Sequence, residues 1–226
     1  MKVGFVIPST ASVLGKRMKR AVYSGPPGQN PSELFDIYPP PLTGHGGFIE
    51  NTGNPIGTKE RRFVHKDGDW HRAVHVWLTH PGTKSVVLQK RSKYKDTNPN
   101  KWDVSSAGHI THGDGSSDTA VKELEEELGL EAGDLPMEYL FTAVSQFSTD
   151  SVSCNEFQDV YLVELVGERS DYRFDRIGET EVSDVSFIPI SLLRQRLDEA
   201  NVDFVARPEQ YRKRFFEILR GRYGAV

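Results

Sequence analysis

Between Gly108 and Leu130 the chain reads GHITHGDGSSDTAVKELEEELGL, a glycine-rich loop running straight into a short amphipathic helix, and no other stretch restricts the fold as tightly. At about 100° per residue, Val121, Leu124 and Leu128 share one stripe that must meet a core. The spacing predicts a helix that starts near the caps Ser117 and Asp118 and ends at Gly129, a residue free to turn left-handed. Glu123, Glu126 and Glu127 fall within about 100° of one another, well off the apolar stripe. Glu123 and Glu127 form a like-charge i,i+4 pair, which costs roughly 0.2–0.5 kcal/mol. All three crowd the C-terminal half, where the helix dipole disfavours each exposed anion by about 0.3–1 kcal/mol. One reading is a solvated acidic face. The other is a set of carboxylates holding a cation, approached by backbone from a loop whose glycines carry no obstructing side chain. Carboxylates with a loop carbonyl suit Mg2+ or Mn2+, which commonly bridge to substrate phosphates.

The flanking sequence predicts what this helix packs on. Strand-like runs occupy His71 to Thr79, Ser85 to Gln89, Trp102 to Ala107, Tyr139 to Phe147, Phe157 to Val166 and Val182 to Ile188, with Gly82 turning the first pair. Further helical spacing appears at Leu193 and Leu197 after a Ser191 cap, and at Tyr211, Phe215 and Ile218 after Pro208. Many strands with few helices imply an α/β (α+β) sandwich, a mixed β-sheet flanked by helices. Residues 1–32 are basic, with no acid before Glu33, and contain the Gly/Pro-rich Ser24 to Gly28. They are expected to form an extension to a domain spanning 33–226, either flexible or an organelle-targeting segment, so the compartment is cytoplasmic on the first reading and organellar on the second. Tyr38 to Asn54, dense in Pro and Gly, reads as loop.

Composition closes off several classes. The lone Cys154 excludes an internal disulfide and a structural zinc site needing two cysteines, and favours a reducing compartment. No run approaches the roughly 18 apolar residues of a membrane span. With 28 Lys+Arg against 32 Asp+Glu the net charge is −4, a poor match to a protein that binds nucleic acid phosphates, though not to a small phosphorylated substrate.

The acidic segment resembles the Nudix box: Gly, five residues, Glu, seven residues, Arg-Glu, an apolar residue, any residue, Glu-Glu, any residue, Gly and an apolar residue. Gly108, Glu123, Leu124, Glu126, Glu127, Gly129 and Leu130 are in register. Two positions depart from it, Asp114 for Glu and Lys122 for Arg. Both keep the charge, but Asp is shorter and Lys lacks the planar fork for bidentate pairing. The resemblance implies a Nudix fold, a divalent cation on Glu123, Glu127 and Glu126 with a carbonyl from the Gly108 region, and hydrolysis of a phosphoanhydride.

From roughly His71 to Val166 the chain is similar to the branch that contains isopentenyl diphosphate isomerase and its hydrolase relatives, through HRAVHVW, LQKRSKYKDTNPNKWDVSSAGH and NEFQDVYLV. That resemblance implies that Arg91 and Lys95 hold a diphosphate, and that His71, His109 and Glu156 match three positions of a second metal site. The isomerase's catalytic cysteine falls two residues before the matching His, where this chain has Ala107. Isomerisation is therefore disfavoured, and hydrolysis of a small organic or nucleoside diphosphate, releasing phosphate or a monophosphate, is expected. A catalytically silent ligand-binding domain and an RNA-decapping enzyme are the alternatives. Nudix enzymes recruit the general base from different places, so Glu126, Glu156, Glu179 and Glu181 are all candidates; Glu156 is favoured because it stands at a strand start able to face the box helix. His75, His80 and His112 are expected to be structural or exposed. Trp70, Trp77, Tyr94, Trp102 and Phe147 could belong to the core or contact the organic group. Monomer and homodimer are both compatible with the resemblance.

Overall fold

The structure is a computed structural model that describes residues 30–131, 135–149, 152–174 and 180–224. Ten strands and four α-helices are assigned among them. In chain order these are β1 (Leu34–Ile37), β2 (Phe48–Ile49), β3 (Gly57–Glu60), α1 (Arg61–Asp67), β4 (Trp70–His80), β5 (Ser85–Arg91), β6 (Trp102–Asp103) and β7 (Ser106–His109). They continue with α2 (Ser116–Leu128), β8 (Met137–Ser148), β9 (Ser153–Glu164), β10 (Val182–Pro189), α3 (Ile190–Asp198) and α4 (Glu209–Tyr223). The main sheet runs β10-β5-β4-β9-β8-β2, with β6 on β5 and β7 on β4, while β1 and β3 pair separately. Only β4 and β9 pair in parallel, from Trp70 opposite Asn155 to Thr79 opposite Glu164, so the sheet is mixed as expected.

Alternation along β4 explains the two-sided core. Val74, Val76 and Leu78 face α2, meeting Ala120, Leu124 and Leu128; Trp77 on the opposite face meets Ile190 and Leu193 of α3 and Tyr211, Phe215 and Leu219 of α4. Trp77 stacks on Phe215 with centroids 4.3 Å apart, and its indole N–H donates to Tyr211 Oη at 2.9 Å. Truncating Phe215 to Ala would cost about 3–5 kcal/mol by the usual scale for buried aromatics.

Several boundaries differ from the sequence reading. Helix α2 begins at Ser116 with Gly115 as its N-cap, not at Ser117 or Asp118, and it does end at Gly129, whose φ is 64°. Ser116 is drawn in because its hydroxyl donates to the buried Asp159 at 2.5 Å and accepts from Tyr161 at 2.9 Å. Asp159 also takes Arg72 and Thr142, so one carboxylate ties the start of α2 to β4, β8 and β9. Helix α3 starts at Ile190 after Pro189, which leaves Ser191 inside the first turn. The run Trp102 to Ala107 is two short strands on different neighbours, because β6 follows β5 and β7 follows β4. Within the Tyr38 to Asn54 loop, Phe48 and Ile49 add a short edge strand to β8. The proposed extension 1–32 lies outside the described residues except for 30–32. Among the described residues no helix is long and apolar enough to cross a membrane.

Candidate active site

The carboxylate face of α2 packs on β5 and β7, and the burial of its two key acids is unequal in kind. Glu127 is 2% exposed. Its Oε2 accepts from Gln89 Nε2 at 2.8 Å, Ser106 Oγ at 2.9 Å and the Ala107 backbone N–H at 3.0 Å. Oε1 has Lys95 Nζ at 3.6 Å. One oxygen thus anchors the carboxylate and the other faces Lys95. Burial pushes the Glu127 carboxyl up, opposed by Lys95 and the donors on Oε2.

Glu123 lies against Gly108 so closely that a Cβ at 108 would stand 2.1 Å from Oε1. Burial, with Glu127, Glu181 and Glu126 nearby, pushes its carboxyl up to about 8. A carboxylate that the fold itself disfavours as an anion is suited to a cation. Carboxylate donors, a glycine with no room for a side chain and a backbone that approaches closely fit a hard divalent ion. Glu126 stands on the exposed side, with Lys122 Nζ 3.9 Å away.

Both acids and cations line one cavity of about 1070 Å³, which includes Arg91, Lys95, Gly108, Glu123, Glu126 and Glu181. Arg91 donates to Thr97 O at 3.0 Å and to Asp103 Oδ2 at 3.1 Å; Lys95 Nζ lies 2.9 Å from Glu181 Oε2. Arg207, which the sequence did not single out, pairs with the other oxygen of Asp103 and lines the same cavity. The structure therefore brings together Gly108, Glu123, Glu126 and Glu127 with Arg91 and Lys95.

The second group of predicted residues is also assembled, and it is larger than expected. Glu156 Oε1 is 3.2 Å from His109 Nε2 and 3.8 Å from His71 Nε2, and it accepts from Cys154 Sγ at 2.9 Å. Gln158 donates to Oε2 at 2.7 Å. Cys154 and Gln158 thus bond the carboxylate, and His109 and His71 stand beside it. Burial pushes the Glu156 carboxyl up, but His109, His71 and Cys154 hold it well below the usual range. His65 joins from α1, its imidazole pushed down to about 3 by burial and by His71 and Arg61. Phe35 stacks on His71 and His109 at 5.4 and 4.9 Å. Residues missed were Arg61, His65 and Cys154; for Cys154 the signal was its i,i+2 spacing to Glu156 on a strand.

The loop before α2 is braced from β1 and the residue before it. Thr111 Oγ1 donates to Glu33 at 2.6 Å and the His112 N–H donates to Leu34 O at 2.7 Å. Asp114 is exposed in the turn. His75 is buried against Tyr211 Oη at 3.2 Å, His80 is buried, and His112 is exposed beside Asp36. Trp70 and Trp77 are core, Trp102 packs against the core, and Phe147 lines the cavity. Glu179 lies outside the described residues.

The NUDIX domain family profile matches residues 69–208. The chain belongs to the Nudix family, and its enzymes are pyrophosphohydrolases that generally need divalent metal ions. Among relatives, Nudix hydrolase 3 of Arabidopsis thaliana is 40% identical over 184 residues, 79% of this chain. The chain spans only 23% of that plant protein's length. An isopentenyl-diphosphate Delta-isomerase of Jannaschia is 25% identical over 175 residues, 76% of this chain and 92% of that protein, in keeping with an isomerase-like relationship. A crystal structure from Deinococcus radiodurans, 20% identical, shares the fold with a TM-score of 0.55 over 84% of this chain and 99% of that one.

Proposed function

We propose that this Nudix hydrolase uses Mg2+ or Mn2+ to cleave the phosphoanhydride of a small organic or nucleoside diphosphate, releasing phosphate or a monophosphate. The observation that carries the reading is Glu123, a half-buried carboxylate raised to about 8 and pressed on Gly108 at the cavity wall. Glu123 and Glu127 would hold the ion with the Gly108 region. When bound, the ion neutralises phosphate oxygens and acidifies the attacking water.

The protein's own groups supply the rest. Lys95 exchanges its Glu181 contact for a phosphate oxygen, and Arg91, fixed by Asp103 and Thr97, faces the diphosphate from the same wall. Of the two carboxylates expected to act catalytically, Glu126 is the better placed to meet water. It stands at the open side with one cation 3.9 Å away, whereas Glu156 is held as an anion by its histidine neighbours. Glu126 would join the residues that hold the ion and would take the water's proton. Glu156, with His71 and His109, forms a second metal site. Ala107 uses its N–H to hold Glu127 and carries no group for proton transfer at carbon, which supports hydrolysis over isomerisation.

Phosphate release with Mg2+ or Mn2+ from isopentenyl diphosphate, dimethylallyl diphosphate, ADP-ribose, NADH and nucleoside triphosphates tests this, with Glu127→Gln in parallel. Metal-dependent turnover lost in the variant is expected; no turnover on any substrate, or equal turnover by the variant, would overturn the reading in favour of a silent binding domain.

A further inference from the structure

The histidine group does not share the donor chemistry of the box helix. His65 comes from α1, His71 from β4, His109 from β7, and Cys154 and Glu156 from alternate positions of β9, so those two leave the strand on one face. One ligand atom from each of His65, His71, His109 and Cys154 falls within 4.8 Å of the others. Cys154 Sγ lies 3.9 Å from His65 Nε2 and 4.0 Å from His71 Nε2. Ligands at Zn–N and Zn–S bond lengths on a tetrahedron are roughly 3.4–3.8 Å apart, so a contraction of about 1.4 Å or less would close the set.

The group is poorly satisfied by itself. His71 is fully buried, and its Nδ1 lies 3.0 Å from Asp69 O, which places the proton there and turns a lone pair at Nε2 into the cluster. The contacts on that lone pair, Glu156 Oε1 at 3.8 Å and Cys154 Sγ at 4.0 Å, are too long for strong hydrogen bonds. His109 Nε2 is buried with no aligned hydrogen bond, although Glu156 Oε1 is 3.2 Å away. Two buried imidazole nitrogens aimed at one point and left without good partners are a costly arrangement for a merely structural cluster. Arg61 Nη1 donates to His109 Nδ1 at 3.0 Å. Ligation through His109 Nε2 therefore requires Arg61 to turn away so that Nδ1 can take the proton.

We propose that His65, His71, His109 and Cys154, with Glu156 beside them, form a thiolate-containing site for a borderline transition-metal ion of the Zn2+ class. The inference rests on the second-site reading above and deepens it: what it adds is the thiolate of Cys154, with His65 completing the imidazoles. Imidazole and thiolate select Zn2+ over Mg2+ or Mn2+, which prefer the all-oxygen donors of Glu123 and Glu127. A thiolate and the Glu156 carboxylate beside neutral imidazoles also balance a divalent charge.

The test uses the full chain stripped with chelator, loaded with Zn2+ or Co2+, and read by metal counting and absorption. The expected result is one Zn2+ retained per chain in the presence of excess Mg2+, and a near-ultraviolet thiolate-to-Co2+ charge-transfer band. Both persist in Glu123→Gln; in Cys154→Ser the band is absent and Zn2+ binds at least about tenfold more weakly. Cys154→Ala, checked for native circular dichroism, guards against a folding defect in either variant. Co2+ bound at this site without the band, with Zn2+ affinity unchanged in Cys154→Ser, would overturn the thiolate assignment and leave the His/Glu site standing. No ion lost on His71→Gln would overturn both.

Discussion

Gly108 and Glu123 are in contact with no space between them: a methyl group at 108 would lie 2.1 Å from the Glu123 Oε1 and 2.2 Å from its Cδ. Gly108→Ala must therefore displace the carboxylate or bend β7. A misplacement of about 1 Å can cost on the order of 100-fold in rate, and the expected result is a loss of that size in kcat/KM with weaker Mn2+ binding. Turnover and Mn2+ titration check it; native values for both would show that Glu123 is not held by this contact.

Glu123 and Glu127 should separate function from stability. Glu123→Gln removes a carboxylate whose folded-state pKa, about 8, exceeds its unfolded value of 4.5. The charged form is thus opposed by the fold, and the metal-free wild type loses stability as pH rises through this window. The variant is expected to be inactive yet to hold its Tm from pH 7 to 9 in chelator, while the wild type declines. Glu127→Gln instead weakens the one acceptor that three donors share and sets an amide NH2 against the Lys95 ammonium, and is expected to lower Tm as well as activity. Thermal melts of both variants across pH distinguish the two behaviours.

The box helix was legible because its apolar stripe and its carboxylate face follow one helical period, and both core and cavity obey that geometry. Helix α1 was not. Of RRFVHKD only Val64 is buried, so the segment has no stripe to read, and with it Arg61 and His65 went unseen. The anchoring of Glu127 was equally hidden, since Gln89 and Ser106 reach it from strands 38 and 21 residues away in sequence. Glu156 was recognised, but its surroundings depend on the parallel register that sets it opposite His71, a long-range pairing with no local signal. Cys154 is different. Its place two residues before Glu156 was plain in the sequence, and it was weighed only as a substitute for the isomerase's catalytic cysteine, which its different position rules out, and not as a metal ligand.

His75 supplies the pH dependence away from either metal position. Burial, and then Arg207, push its imidazole down to about 3 from 6.5. The unfolded chain takes up a proton near pH 6.5 that the folded chain refuses until about 3, so this contribution to stability is complete above 6.5 and falls away below it. The slope approaches 1.4 kcal/mol per pH unit, or about 2 kcal/mol by pH 5. Denaturant unfolding at pH 7 and pH 5 should show His75→Gln losing less stability than the wild type over that interval, even if it starts lower through the lost Tyr211 contact. Equal losses would assign the acid sensitivity to other buried groups.

Asp103 is the buried acid between two guanidiniums, taking Arg91 on one oxygen at 3.1 Å and Arg207 on the other. Burial pushes its carboxyl up, but Arg207 and Arg91 more than offset this and hold it below the usual range. Asp103→Asn leaves those two cations without their shared anion, and breaking a buried pair in this way costs about 3–5 kcal/mol. Because Arg91 then loses one of the groups that fix it, KM for the diphosphate is expected to rise by roughly 10-fold or more, whereas Mn2+ affinity at Glu123 and Glu127 stays near the wild-type value. Substrate kinetics beside a Mn2+ titration measure the two separately. A fall in metal affinity with KM unchanged would mean that Asp103 supports the carboxylate site rather than the wall that faces the phosphates.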